Sequence, residues 1–440
     1  MVFRPVLAMN DIVRYIIQFL LGDEASAEVV DSIGYTSDNS IFHNYKIVIT
    51  PSGFFDEKMY GMPASIPALP LQQIEDTPIL FGKPFVEEKD DVLIVYADLV
   101  ASSYFLLSRY EEMVRRDIRD EHGRFPGRSS LPFRADMLHR PLVDEYGRLL
   151  RKWLMRTSVK AMDRPRSIRR INLTHDVDAP FAMRTWRNMV RGVKEGKGLG
   201  MLLQTKFGSL EKDPFYTFPW LLSENQQVRT CYGKENCTSI FFFKAGGNGL
   251  QDKPYYNLYG KDMQSLFQLI ADNGGMYGLH SSYQAGKRPQ QIAEEKGTLE
   301  CALGTKITSN RHHFLASREP EDMAELEKAG LTDDYTMGYA DVAGFRLGTS
   351  RPVRWIDAAN KRLSLLTLHP LIIMDGTLSE TKYMGLGLLE AKAYCDQLIE
   401  QVREHHGELT LLWHNTSVVE GSGYHSMLYH ELLQHICAGG

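Results

Sequence analysis

Two carboxylates one residue apart close the run Ile171-Asn172-Leu173-Thr174-His175-Asp176-Val177-Asp178. Behind the basic pair Arg169 and Arg170, this short apolar segment reads as a buried strand. Side chains alternate along a strand, so Asp176 and Asp178 leave on one face just where the apolar run stops. Like charges held that close call for a cation or a shared proton. A metal site, a carboxylate pair and a plain Asp-rich turn all stay open on this segment alone.

Other apolar runs also end in groups that bind or transfer protons. Residues 275–279 lead into His280-Ser281-Ser282-Tyr283, a later run yields Arg311-His312-His313-Phe314, and residues 409–413 lead into His414-Asn415. A single His at a strand end is usually a satisfied hydrogen-bonding residue. Asp and His gathered from four strand ends form an ordinary ligand set for zinc or a similar divalent ion. Alternation puts Arg311 and His313 on one face and His312 on the other. Gly246-Gly247-Asn248-Gly249 lacks the Lys-Ser/Thr of a phosphate-binding loop and does not match a dinucleotide fingerprint.

From residue 171 onward, strand-like runs (171–174, 238–243, 276–280, 306–313, 335–339, 363–368, 409–413) alternate with helical stretches near 181–195, 261–273, 289–303, 320–329 and 385–405. That alternation predicts a parallel α/β sheet, open or closed into a barrel, with the functional groups at the carboxyl ends of its strands. Residues 1–165 read as a separate α/β unit. It has a helix around Ile12–Leu20, strands at 45–50 and 92–96, a long helix over 98–116, an irregular Pro/Gly/Arg-rich stretch at 124–140, and a last helix from Leu142 to Met162. The chain then reaches a boundary at Asp163-Arg164-Pro165.

Length and composition agree with more than one domain. The chain has 440 residues, 43% hydrophobic and 24% charged, as in a globular protein. A net charge of −5 gives no reason to expect nucleic acid as a partner. The five cysteines have no repeating spacing and read as reduced thiols. No stretch approaches the ~20 apolar residues of a membrane span. The expectation is a cytoplasmic protein, a position near the inner face of a membrane and its oligomeric state being left open by the sequence.

In order and placement, these motifs resemble the polysaccharide deacetylase superfamily, carbohydrate esterase family four and its relatives, over about residues 168–420. Thr174-His175-Asp176-Val177-Asp178 is similar to the family's first motif. His280-Ser281-Ser282-Tyr283-Gln284 matches half of its His-Ser/Thr-x-x-His motif. Arg311-His312-His313 approximates Arg-x-Pro, and Leu412-Trp413-His414 matches the closing Leu-x-His. The N-terminal part resembles the extra domain that precedes such a catalytic domain in bacterial members. The resemblance implies a distorted (β/α)7 barrel over 166–440, preceded by an α/β accessory domain over 1–165.

It also implies a metal-dependent hydrolase that removes N-acetyl groups from an amino sugar, glycan or glycan precursor. Asp178 and His280 would be metal ligands, Asp176 the general base, His414 the general acid, and Arg311 the partner of Asp176. One departure matters, because the family's second ligand His falls at Gln284, and an amide is a poor zinc ligand. His313 is the expected third ligand. Tyr283, Trp413, Tyr339 and Arg346 are candidates to contact a carbohydrate substrate, Arg346 through an anionic substituent. Two other readings stay open: hydrolysis of another C–N bond, such as a cyclic imide or amide, and a non-catalytic glycan-binding or assembly protein.

Overall fold

The computed structural model describes residues 4–439 except 158, 160–163, 185, 195, 197, 319 and 420–422. Met162 and Asp163, where the last N-terminal helix and the domain boundary were expected, lie outside the described residues. The chain divides into two compact units. The first comprises residues 1–168 together with 337–372 and 400–407, so it takes in segments beyond the expected boundary near 165. Buried ion pairs give the physical reason. Arg346 forks onto Glu112 (Nε–Oε1 2.9 Å, Nη2–Oε2 2.7 Å), and Arg351 Nε donates to Asp144 Oδ1 at 2.8 Å.

This unit holds a four-stranded sheet ordered Ile33–Tyr35, Ile47–Ile49, Val92–Ala97 and Gly82–Lys89, its last pair antiparallel. The amphipathic helix Arg4–Leu21 buries Ile12, Ile16 and Leu20. The expected helix over 98–116 starts at the Asp98 cap, whose Oδ1 accepts the Ala101 N–H at 2.9 Å. It is broken at Arg109, which adopts a left-handed conformation (φ 52°), giving Leu99–Leu107 and Tyr110–Val114. The run at 363–368 is a strand as expected, and only its direction departs from the parallel pattern. Arg362–Leu368 pairs antiparallel with Val353–Asp357 in this unit, across a turn in which Asp357 accepts the Asn360 N–H.

The second unit comprises 169–336, 373–399 and 408–440. Its strands are β1 (Arg170–Val177), β2 (Cys237–Phe243), β3 (Met276–Ser281), β4 (Ser309–His312), β5 (Asp333–Asp334), β6 (Ile373–Met374) and β7 (Glu408–Leu412). They run parallel in the order β5-β4-β3-β2-β1-β7-β6. Parallel neighbours need helical crossovers, and Phe218–Tyr232, Lys261–Asp272, Gln291–Leu303, Glu321–Lys328 and Leu388–Glu404 stand in the connections. The arrangement is α/β and compatible with a barrel-like fold. β1 lies in the interior, with Ile171, Leu173 and Val177 fully buried.

The strand expected at 335–339 is absent. The Asp334 carboxylate accepts the N–H and hydroxyl of Thr336, which turns the chain after two strand residues. β6, which the sequence reading passed over, takes the place beside β7. Among the described residues, no helix is long and apolar enough to cross a membrane.

Candidate metal centre

β1 delivers Asp176 and Asp178 to one side, while His175 goes to the other. There His175 Nδ1 reaches the Trp413 carbonyl at 2.9 Å and Nε2 meets Asn225 at 2.9 Å. Burial pulls the His175 pKa down to about 4, so it stays a neutral packing residue. From neighbouring strand ends come His280 (β3), Arg311 (β4) and His313, in the turn just after β4. His312 is directed elsewhere, 3.5 Å from Asp322.

Ligand atoms of Asp178, His280 and His313 lie within 4.8 Å of one another. His280 Nε2 and His313 Nε2 each stand 3.3 Å from Asp178 Oδ1. A charge-assisted hydrogen bond would be shorter, at ~2.7–2.9 Å. Ligand bonds of ~2.0–2.1 Å about a tetrahedral ion put neighbouring donors ~3.3 Å apart. Asp178 Oδ1 is buried and makes no hydrogen bond. One carboxylate and two imidazoles with this spacing fit a divalent ion.

The second layer fixes which ring nitrogens face that point. His280 Nδ1 lies 2.9 Å from the Arg311 carbonyl, which only accepts, so Nδ1 carries the hydrogen and Nε2 the lone pair. His313 Nδ1 lies 3.2 Å from Asp252 Oδ1, the carboxylate–histidine arrangement that orients metal ligands. Asp252 is itself held by the N–H groups of Tyr283 (2.6 Å) and Gln284 (3.3 Å). Gly247 lets the chain pass here. At φ +78°, an added Cβ would stand 2.5 Å from Asp252 Oδ2. The glycine-rich stretch therefore makes room for a carboxylate. The Gln284 side chain is engaged by the neighbouring loop, its Oε1 accepting the Asn248 N–H at 3.0 Å.

Asp176 and His414 complete the cluster. Arg311, fully buried, donates Nη1 to Asp176 Oδ1 at 2.9 Å and Nε to the Tyr335 carbonyl at 3.0 Å, over the Phe242 ring. The other Asp176 oxygen lies 3.6 Å from His280 Nε2. His414 Nε2 is 3.8 Å from Asp178 Oδ2, and its Nδ1 meets Asp375 Oδ1 at 2.8 Å. Burial would lower the His414 pKa, but the Asp375 charge and hydrogen bond outweigh it, so the imidazole is held protonated. For Asp375, burial works against ionisation, and the same His414 contact overrides it and holds the carboxyl well below its usual range.

The expected sugar contacts fare differently. Trp413 is fully buried, donates Nε1 to the His425 carbonyl at 3.1 Å and packs on Tyr429, which leaves no face for a ring. Arg346 and Tyr339 belong to the first unit, where both are buried, the guanidinium lying over the Tyr339 ring and forked onto Glu112. Tyr283 stays beside the cluster, mostly buried against Phe314, with Lys287 and Arg318 over its ring.

Sequence reasoning missed Asp375 and Asp252. Asp375 follows the apolar run 371–374, the same signature that exposed Asp176. Asp252 sits in a loop with no such signal.

A model described as a family of unknown function, DUF7033, matches residues 7–158. No curated protein matches the chain. Among solved structures, a provisionally assigned polysaccharide deacetylase from Mycobacterium smegmatis is similar at 15% identity, with a TM-score of 0.39, over 64% of this chain and 88% of that one.

Proposed function

We propose that the second unit is a metal-dependent hydrolase, a distorted (β/α)7 barrel of the polysaccharide deacetylase type, that removes N-acetyl groups from an amino sugar, glycan or glycan precursor. The observation that carries this reading is the pair of 3.3 Å separations from Asp178 Oδ1 to His280 and His313, with Asp176 and His414 beside them. A divalent ion such as zinc, held by Asp178, His280 and His313, would supply Lewis acidity toward water and an amide carbonyl.

The chain's own groups account for the proton steps. Asp176, kept in place by Arg311, is the general base that takes a proton from the attacking water. His414, oriented by Asp375 and protonated, gives a proton to the amine as the C–N bond breaks. The products are a carboxylic acid and a free amine. Both histidine ligands present Nε2 because Nδ1 is engaged behind them, so the site is organised before any ligand arrives.

The test is acetate release from N-acetylated oligosaccharides and nucleotide-linked N-acetyl amino sugars by metal-loaded protein. Release that disappears in Asp176→Asn supports the proposal. Hydrolysis of cyclic imides without acetate release would move the reaction to another C–N bond. Metal binding without turnover of either class would favour a glycan-binding protein.

A further inference from the structure

The connection that leaves Asp178 and returns as β2 carries, ahead of the crossover helix Phe218–Tyr232, a pair of shorter helices, Trp186–Lys194 and Leu199–Phe207. Met189 and Leu202 turn inward and join a small cluster with Ala182, Met183 and Phe215. Their neighbours do the opposite: Leu199 is 61% exposed, Phe207 67%, Val190 56%, Val193 53% and Leu203 41%. Exposed aliphatic side chains are ordinary when scattered. Val190 and Val193 stand three apart on the first helix, and Leu199, Leu203 and Phe207 four apart on the second, so each helix presents an exposed apolar face of the kind that marks an interaction surface.

The same segment is strongly basic in a chain whose net charge is −5. Residues 186–207 contain Arg187, Arg191, Lys194, Lys197 and Lys206 against Glu195 alone. The helices are tied to each other and to the chain beside Asp178 and His414. Arg184 donates to the carbonyls of Lys206 (2.8 Å) and Gly208 (3.0 Å). Asp213 accepts the N–H groups of Ala182 (2.8 Å) and Met183 (3.0 Å). Asn415, next to His414, donates to the carbonyls of Ala179 and Phe215.

The geometry points to this helix pair as a docking surface for a lipid bilayer with anionic headgroups. Apolar side chains on a helix rich in Lys and Arg are what an interfacial helix needs: hydrocarbon contact for the one, phosphate for the other. Because the pair is rooted beside Asp178 and His414, docking there would bring the ligand cluster to the membrane surface. The inference does not depend on the hydrolytic reading.

The experiment is co-sedimentation of the full chain with vesicles of phosphatidylcholine, with and without phosphatidylglycerol. Binding to the anionic vesicles is expected, with loss at about 1 M salt, where charges are screened beyond ~3 Å. Lys194→Gln should weaken binding about fivefold. Val193→Glu with Leu199→Glu should abolish it, with an unchanged melting temperature because both side chains are exposed. Asp176→Asn should bind like the parent, which separates this result from the fate of the catalytic proposal. Equal affinity for neutral vesicles, or no binding at all, would overturn the inference. So would a concentration-dependent dimer that the double substitution dissolves, since a second copy would then own the patch.

Discussion

Buried carboxylates occur in both units, and the contrast lies in how completely their oxygens are used. In the first unit, Asp144 Oδ1 accepts from Thr349 and Arg351, and Oδ2 from both the N–H and hydroxyl of Ser350. Glu112 takes two parallel bonds from Arg346. Burial alone would raise both pKa values, and the arginine charges outweigh it and lower them. In the second unit, Asp176 spends one oxygen on Arg311 and Asp178 Oδ1 has no hydrogen bond, although buried. Saturated carboxylates hold a fold together, whereas unsaturated ones beside imidazole lone pairs are equipped to bind and react.

Exchanging function for stability tests that contrast most strongly. Asp176→Asn should cost about 10²–10⁴ in turnover, the usual worth of a positioned general base, while metal content is retained. Asp144→Asn should leave turnover per folded molecule unchanged and lower stability by about 3–5 kcal/mol, because Arg351 stays buried without its counter-charge. Steady-state kinetics and denaturant melts on both variants decide it. If each variant lost activity and stability in equal measure, the distinction between the two kinds of carboxylate would collapse.

Glu295 sharpens the comparison from a third side, as a buried carboxylate without an arginine. It accepts the N–H and hydroxyl of Ser282, but burial dominates and raises its pKa to about 7. The folded state therefore keeps a proton that the unfolded state releases from pH ~4.5 upward. Its stabilising contribution is full below that pH and is lost as the pH rises through about 7, by up to ~3 kcal/mol. Glu295→Gln should flatten the stability profile between those limits, as read by melts across the window. Asp252→Asn should weaken metal affinity about 10–100-fold, because His313 loses the carboxylate that orients it. Titration with a competing chelator measures that loss.

The α/β character and the strand ends at Asp176, Asp178, His280 and His414 were legible because apolar runs that stop at polar residues leave a local trace. Asp375 left the same trace after a run too short to be counted as a strand. Asp252 left none, since its place against His313 depends on a loop folding back past Gly247. The assignment of residues 337–372 to the first unit was equally hidden. It rests on Arg346 and Arg351 meeting Glu112 and Asp144, partners more than two hundred positions away. Trp413 was a candidate sugar contact that the structure buries, because an aromatic beside a site looks the same in sequence whether its ring faces in or out.

In the proposed metal centre His313, and not the residue at position 284, supplies the third ligand. Metal analysis of the purified parent, His280→Ala, His313→Ala and Gln284→Ala tests it directly. Stoichiometric divalent metal in the parent and in Gln284→Ala, with loss from both histidine variants, is the predicted result. Metal retained by His313→Ala but lost from Gln284→Ala would contradict it.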